Sequence, residues 1–190
     1  MKSHYSDPVA LQIVERRTFC VLVDNEPGVL ARIAGMFSGR GYNIESLTVS
    51  ETQHEEHLSR ITIVTSGTPN VLDQIEAQLD RLVPVHRVVN LSAKSAIERE
   101  LALVKVAQHG ADRSEHRMEA LRLATAFGAK TVDATLNSFI FELAGPSDDV
   151  ERFINLMSAI GLVEVSRTGA AAIARGAAGL GDRASAESAA

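Results

Sequence analysis

Residues 24–47, DNEPGVLARIAGMFSGRGYNIESL, place Pro27 and Gly28 at the entry of an apolar-striped helix and Gly41-Tyr42-Asn43 just beyond its end. The first N–H groups of a helix have no partner inside it, and the aligned peptide dipoles add about half a positive charge there, so a carboxylate is favoured at that mouth. Pro27 in the first turn would fix φ without removing a needed donor, and Gly28 would let a ligand approach the backbone. The stretch from Asn25 to Leu30 therefore has the features of a small-anion seat. A plain Pro-Gly turn is the alternative for the corner taken alone.

These residues must be held by a scaffold, and the hydrophobic spacing supplies one. A strand is expected at 18–24, with Phe19, Val21 and Val23 on one face and Cys20 and Leu22 on the other. A helix is expected at 27–39 from Val29, Leu30, Ile33, Ala34 and Phe37, stopped by Gly39 or Gly41. Strands come next at 43–52 and 58–66, then a helix opened by Thr68-Pro69 and carrying Leu72, Ile75, Leu79 and Leu82, and after Pro84 a strand at 85–92. The order βαββαβ then repeats. It runs through a strand at 100–107, a helix capped by Asp112 with Glu115 and reaching Phe127, strands at 130–136 and 138–144, a helix capped by Ser147, and a strand at 162–167.

The expected fold is thus α+β with two ferredoxin-like (βαββαβ) domains, joined near 93–97. The divisions are an N-terminal extension at 1–16, a first domain at 17–93, a second at 98–175, and a disordered tail at 176–190. That tail is rich in Ala, Gly and Ser and buries too little to offset its ordering entropy. A split-βαβ sheet carries both helices on one face. Leu22, Ile61, Ile63 and Val88 leave the other face too apolar for water, so docking against a second domain or subunit, and a homo-oligomer, are expected. The second strand lies at a sheet edge, so two copies pairing there would bring Asn43 and Ile44 of one toward the helix mouth of the other.

Composition removes several function classes. The 190 residues carry a formal charge of -5, which gives no basic field for nucleic acid, and only 4% are aromatic, too few for a stacking surface. No apolar run is long enough to cross a bilayer and the start lacks a secretory pattern, so no membrane association and a cytoplasmic location are expected. The single cysteine, Cys20, reads as a buried hydrophobe rather than a nucleophile. His54 and His57 with Glu55 and Glu56 fall on a hairpin loop without the H-E-x-x-H spacing, and His109 and His116 have no third ligand nearby, so no metal is expected. Gly39-Arg40-Gly41-Tyr42-Asn43-Ile44 ends a helix where a phosphate loop would begin one, and no nucleophile-base or paired-carboxylate constellation stands out. No catalytic residues are expected.

The runs DNEPGVLARIAGMFSGRGYNIESLTV, LSRITIV and ERELALVKV resemble the regulatory small subunit of acetohydroxyacid synthase (acetolactate synthase), over roughly residues 17–175, and the first domain resembles an ACT domain. The resemblance implies a non-catalytic subunit that activates a catalytic large subunit and confers feedback inhibition by valine. It implies no cofactor in this chain, with thiamine diphosphate, Mg²⁺ and FAD in the catalytic partner, and a homodimer through the ACT domains. Valine would sit at that dimer interface, Asn25, Gly28, Val29 and Leu30 of one copy facing Asn43 and Ile44 of the other. The second repeat has Gln108-His109-Gly110-Ala111-Asp112 at its matching corner and lacks the signature, so one type of effector site is expected. A free-standing amino-acid sensor acting on another regulator is the alternative reading of the same residues.

Overall fold

The computed structural model describes residues 13–53, 57–93, 95–107, 113–177 and 179–180. The first unit runs β1 (Glu15–Asp24), α1 (Val29–Gly39), β2 (Ser46–Gln53), β3 (Leu58–Gly67), α2 (Pro69–Asp80) and β4 (Val85–Asn90). The second runs β5 (Ala96–Ala107), α3 (Arg113–Phe127), β6 (Lys130–Ala134), β7 (Ser138–Gly145), α4 (Ser147–Ser158) and β8 (Leu162–Arg167), and β9 (Ala171–Ala174) ends the order. The sheets are ordered β2-β3-β1-β4 and β6-β7-β5-β8, with every pairing antiparallel. Two α+β units of the same ferredoxin-like topology result, as the repeated pattern requires.

Each core forms where alternation on a strand meets a helical stripe. Phe19, Val21, Val23, Ile61 and Ile63 pack under Val29, Ile33 and Phe37 of α1 and Leu72, Ile75 and Leu79 of α2. Ala102, Val104, Val106, Phe139, Phe141 and Leu143 do the same under α3 and α4. At roughly 25 cal/mol per Å² of apolar area, these clusters supply the main favourable free energy of each unit. The stripe of α3 is thin, since it buries Ala120 and Ala124 and leaves Met118 70% exposed.

Several boundaries differ from expectation. Helix α1 begins at Val29, with Gly28 as N-cap at φ +92°, so Pro27 lies before the cap rather than in the first turn. β2 begins at Ser46, which leaves Asn43 and Ile44 in the loop ahead of it. Thr68 is the N-cap of α2 and Pro69 its first residue, as expected, although the Thr68 hydroxyl makes no cap bond. Pro146 is the N-cap of α4, and the Ser147 hydroxyl instead donates to Glu100 Oε1 at 2.7 Å. The proposed cap Asp112 and the histidine loop 54–56, together with His109, lie outside the described residues, as do 1–12 and 181–190 of the expected extension and tail.

The largest difference is β9. Strand β5 starts at Ala96, and its first residues pair with β9 (Ala96↔Ala174, Arg99↔Ala171) before it enters the second sheet. This ribbon lies on the face of the first sheet opposite its helices, where Ala172 is buried with Cys20 and Leu91, flanked by Val89, Ala96, Ala174 and Leu180. The guanidinium of Arg60 donates to the Ala172 carbonyl, and that of Arg87 to the Leu180 carbonyl at 2.8 Å. The apolar second face is therefore covered from within the same chain. Ile61, Ile63 and Val88 face the helix side, so of the residues named as needing cover only Leu22 alternates to the ribbon side, where Cys20 packs on Ala172.

Candidate functional site

The corner after β1 is fixed by its neighbours rather than by its own side chains. The Asp24 amide donates to the Pro84 carbonyl at 3.2 Å, and the Asn25 amide to the His57 carbonyl at 2.6 Å. Asp24 Oδ1 lies 2.6 Å from His86 Nε2. With φ at +92° Gly28 occupies the left-handed region that glycine enters without a Cβ penalty, and a Cβ there would meet nothing within 4 Å. The glycine is thus required by the backbone and leaves open space beside it. Val29 is 6% exposed and anchors the helix in the core, whereas Leu30 is 43% exposed beside the mouth.

The mouth of α1 offers backbone donors that an anion could take. The amides of Gly28, Leu30 and Ala31 donate to no group among the described residues, and the first turn of α1 contains no acidic residue. In α4 that position is filled by Asp148 and Asp149, which neutralise the helix end with the chain's own charge.

The other half of the candidate site follows the end of the same helix. The Tyr42 amide donates to the Phe37 carbonyl at 3.0 Å and the Gly41 amide to the Ser38 carbonyl at 3.3 Å, with Gly41 at φ +69°. That is a Schellman ending, and the Phe37 and Tyr42 rings close it edge to face at 6.1 Å. Asn43 comes directly after it. Its backbone carbonyl accepts a hydrogen bond from Thr65 Oγ1 at 2.6 Å, while its side chain is exposed and makes no hydrogen bond among the described residues. Ile44 is half-buried against the core cluster.

Within one chain the structure does not bring these halves together. Asn25 is bonded to His57 and Asn43 to Thr65, at opposite ends of the β3 segment, and eight residues of extended chain between those anchors span about 25 Å. The strand that flanks β3 on its outer side, β2, is an edge.

Residues without a signature of their own in the sequence lie next to Asn43. Arg16 Nε is 3.5 Å from Glu45 and its Nη1 3.3 Å from Glu98 of β5. The Ala170 amide donates to Ser46 Oγ at 3.0 Å. Behind them Glu100, 5% exposed, holds Arg167 Nε at 2.5 Å, and Arg167 also reaches Glu151 at 2.9 Å. The run of small residues from Gly169 to Ala172 was the available signal, since a strand can lie this close on a sheet face only with small side chains.

Cys20 has no chemical role in this arrangement. Burial pushes its thiol pKa up, against a smaller opposing effect of Arg60. Among the described residues no cluster of His, Cys, Asp and Glu could hold a metal, and no helix is long and apolar enough to cross a membrane.

Known proteins divide along the same line. Residues 19–87 match the family model "AHAS small subunit-like ACT domain", and residues 99–176 match "Small subunit of acetolactate synthase". The chain is 45% identical over 161 residues to the probable acetolactate synthase small subunit of Archaeoglobus fulgidus, covering 85% of this chain and 98% of that one. It is 44% identical over 162 residues to the acetolactate synthase small subunit of Haemophilus influenzae, covering 85% and 96%. The crystal structure of the small subunit from Thermotoga maritima superposes with a TM-score of 0.74 at 35% identity, covering 86% of this chain and 99% of that one. With two family models side by side over both domains, and relatives of this identity matched over nearly their whole length, the chain belongs to the acetolactate synthase small-subunit family, with an ACT domain as its first unit.

Proposed function

We propose that this chain is the valine-responsive regulatory subunit of an acetolactate synthase complex. It activates the catalytic large subunit, whose chemistry uses thiamine diphosphate, Mg²⁺ and FAD, and it lowers that activity when valine is bound. Residues 17–93 hold the effector, and residues 98–175 assemble subunits or contact the catalytic partner.

The observation that carries this reading is the separation of the two half-sites in one chain. Antiparallel pairing of two β2 edges about a two-fold axis sets the start of β2 in one copy against the end of β2 in the other. The end of β2 lies at the level of Leu58 and therefore of the Asn25–Gly28 corner. Asn43 and Ile44 of one copy then face Asn25, Gly28, Val29 and Leu30 of the other, and the two-fold axis makes two such sites per dimer. The free amides of Gly28, Leu30 and Ala31 receive the carboxylate, the Asn43 side-chain oxygen receives the ammonium, and Leu30 and Ile44 line the side-chain niche. One methylene in such a niche is worth about 1–3 kcal/mol, so valine, leucine and isoleucine separate only modestly.

Mixing two defective chains tests the shared site. Gly28→Asp puts a carboxylate at the anion seat, and Asn43→Ala removes the ammonium acceptor. Each variant alone is expected to weaken valine binding by about tenfold or more in calorimetric titration, since a hydrogen bond to a charged group contributes about 1.5–3 kcal/mol. A mixed dimer of the two has one site with both faults and one with neither. Random mixing should therefore restore about a quarter of the wild-type sites. No restoration, with mixed dimers demonstrated, would reject a site shared between copies.

A further inference from the structure

The loop that presents Asn43 and Ile44 continues without interruption into residues that hold the second unit. Glu45 pairs with Arg16, which also pairs with Glu98 of β5, and Ser46 Oγ takes the Ala170 amide. Gly169 lies against the same strand. A Cβ at Gly169 would stand 2.6 Å from Ser46 Oγ, closer still to Thr48 Oγ1, and 3.2 Å from the Leu47 carbonyl. Its φ is outside the left-handed region, so an ordinary residue could adopt its backbone, and only the space forbids one. Gly28 is the reverse case, with a left-handed φ and empty surroundings.

The partner surface is stiff. Thr48 is β-branched within a strand, which restricts its χ1, and its Oγ1 is buried with no hydrogen-bond partner. Leu47, whose backbone oxygen also faces Gly169, lies within β2 opposite Ile63 of β3. Beyond Gly169 the chain enters β9, whose Ala172 covers Cys20, and Cys20 itself is 0% exposed.

We propose that the Gly169 seat on Ser46 and Thr48 couples the effector site to the second domain. A zwitterion held on Asn43 and Ile44 fixes the loop, the loop fixes Glu45 and Ser46, and these set how closely the 168–174 strip lies on the first sheet. This coupling rests on the shared valine site. A ligand shifts such an equilibrium only by its difference in affinity for the two arrangements, so valine binding and strip docking must favour each other or oppose each other measurably. Cys20, the chain's single cysteine, reports the strip's position because its thiol is buried in the cluster that Ala172 and Ala174 of the strip complete.

The test uses the full chain with its catalytic subunit and three measurements: valine binding to the small subunit alone by calorimetry, valine inhibition of the complex, and the rate of Cys20 reaction with an aromatic disulfide. In the wild type, saturating valine is expected to change the Cys20 rate by about threefold or more. Gly169→Ala is expected to bind valine within about threefold of wild type. Its half-inhibition concentration should rise about tenfold, and its Cys20 should react about tenfold faster, no longer responding to valine. Adding Ser46→Ala and Thr48→Ala to Gly169→Ala makes room for the new methyl and should move inhibition and Cys20 rate back toward wild type, which general damage to the fold would not allow. Normal valine binding with a Cys20 rate indifferent to valine, and unaltered inhibition in Gly169→Ala, would overturn the coupling. Absence of valine binding by the wild type would overturn the shared site and the coupling built on it. The Cys20 acceleration in Gly169→Ala would then still show that the seat holds the strip, which keeps the two failures distinguishable.

Discussion

Helices α1 and α3 occupy equivalent places in the two repeats and end in the same way. Gly41 and Gly128 both have φ +69°, and Ala129 donates to the Ala124 carbonyl at 2.7 Å as Tyr42 does to Phe37 at 3.0 Å. The segments beyond the two glycines differ. After Gly128 the chain enters β6 at Lys130, whereas after Gly41 four residues, Tyr42 to Glu45, intervene before β2. That short loop exposes an amide side chain at the start of an edge strand. The mouths differ in the same sense, because Glu115 lies in the first turn of α3 and no acidic residue in that of α1. One topology thus carries the proposed binding corner in one copy and a plain connection in the other, and the distinction lies in a few loop residues.

The largest test of this contrast removes the ring that closes the α1 ending. Phe37 is 1% exposed and touches Tyr42, so Phe37→Ala is expected to lower unfolding free energy by about 3–5 kcal/mol in urea titration and to abolish valine binding. Phe127→Ala, whose ring meets Phe153 at 5.4 Å from a partly buried position, should cost less and leave valine binding intact. Equal losses of binding would break the comparison.

A second pair contrasts Arg167 and Arg16, each of which joins two carboxylates. Arg167→Ala strands Glu100 in a buried position, so about 2–3 kcal/mol should be lost. Arg16→Ala affects pairs that are largely exposed and should cost under about 1 kcal/mol. Thermal unfolding of both variants measures the difference.

The third pair is subtler. Gly41→Ala and Gly128→Ala place a Cβ on the same left-handed backbone with nothing within 4 Å, so each should destabilise by about 1–2 kcal/mol. Only Gly41→Ala should also weaken valine binding, because only there does the turn aim Asn43. The smallest effect concerns pH. Burial raises the Cys20 pKa in the folded chain, so the folded state keeps a proton that the unfolded state releases. Its contribution is full below the unfolded value of about 8.5 and is lost as pH rises through the higher folded value. Cys20→Ser should flatten that alkaline slope in pH-dependent unfolding.

The helices and most strands were legible in the spacing of apolar residues, since the stripes Val29, Ile33, Phe37 and Leu72, Ile75, Leu79 are local patterns that meet the core directly. Strand ends were less so. Asn43 and Ile44 look strand-like in sequence, but the Schellman turn consumes Tyr42 and delays the ladder to Ser46. β9 was hidden because alanine carries little strand signal, and its pairing with Ala96 to Arg99 lies more than 70 residues away along the chain. Cover for the second face of the first sheet was expected from a domain or subunit, and the ribbon of β5 and β9 provides it.

The sequence by itself determined the repeated topology, the two apolar cores and the residue types at the proposed effector corner, because periodicity, caps and left-handed glycines act over a few neighbouring residues. Only the tertiary structure decided that Asn25 and Asn43 stand at opposite ends of one sheet, and that Gly169 rather than a side chain rests on Ser46 and Thr48. Both depend on how distant strands register and how closely two surfaces approach, and no local pattern encodes a distance between segments that meet only after folding.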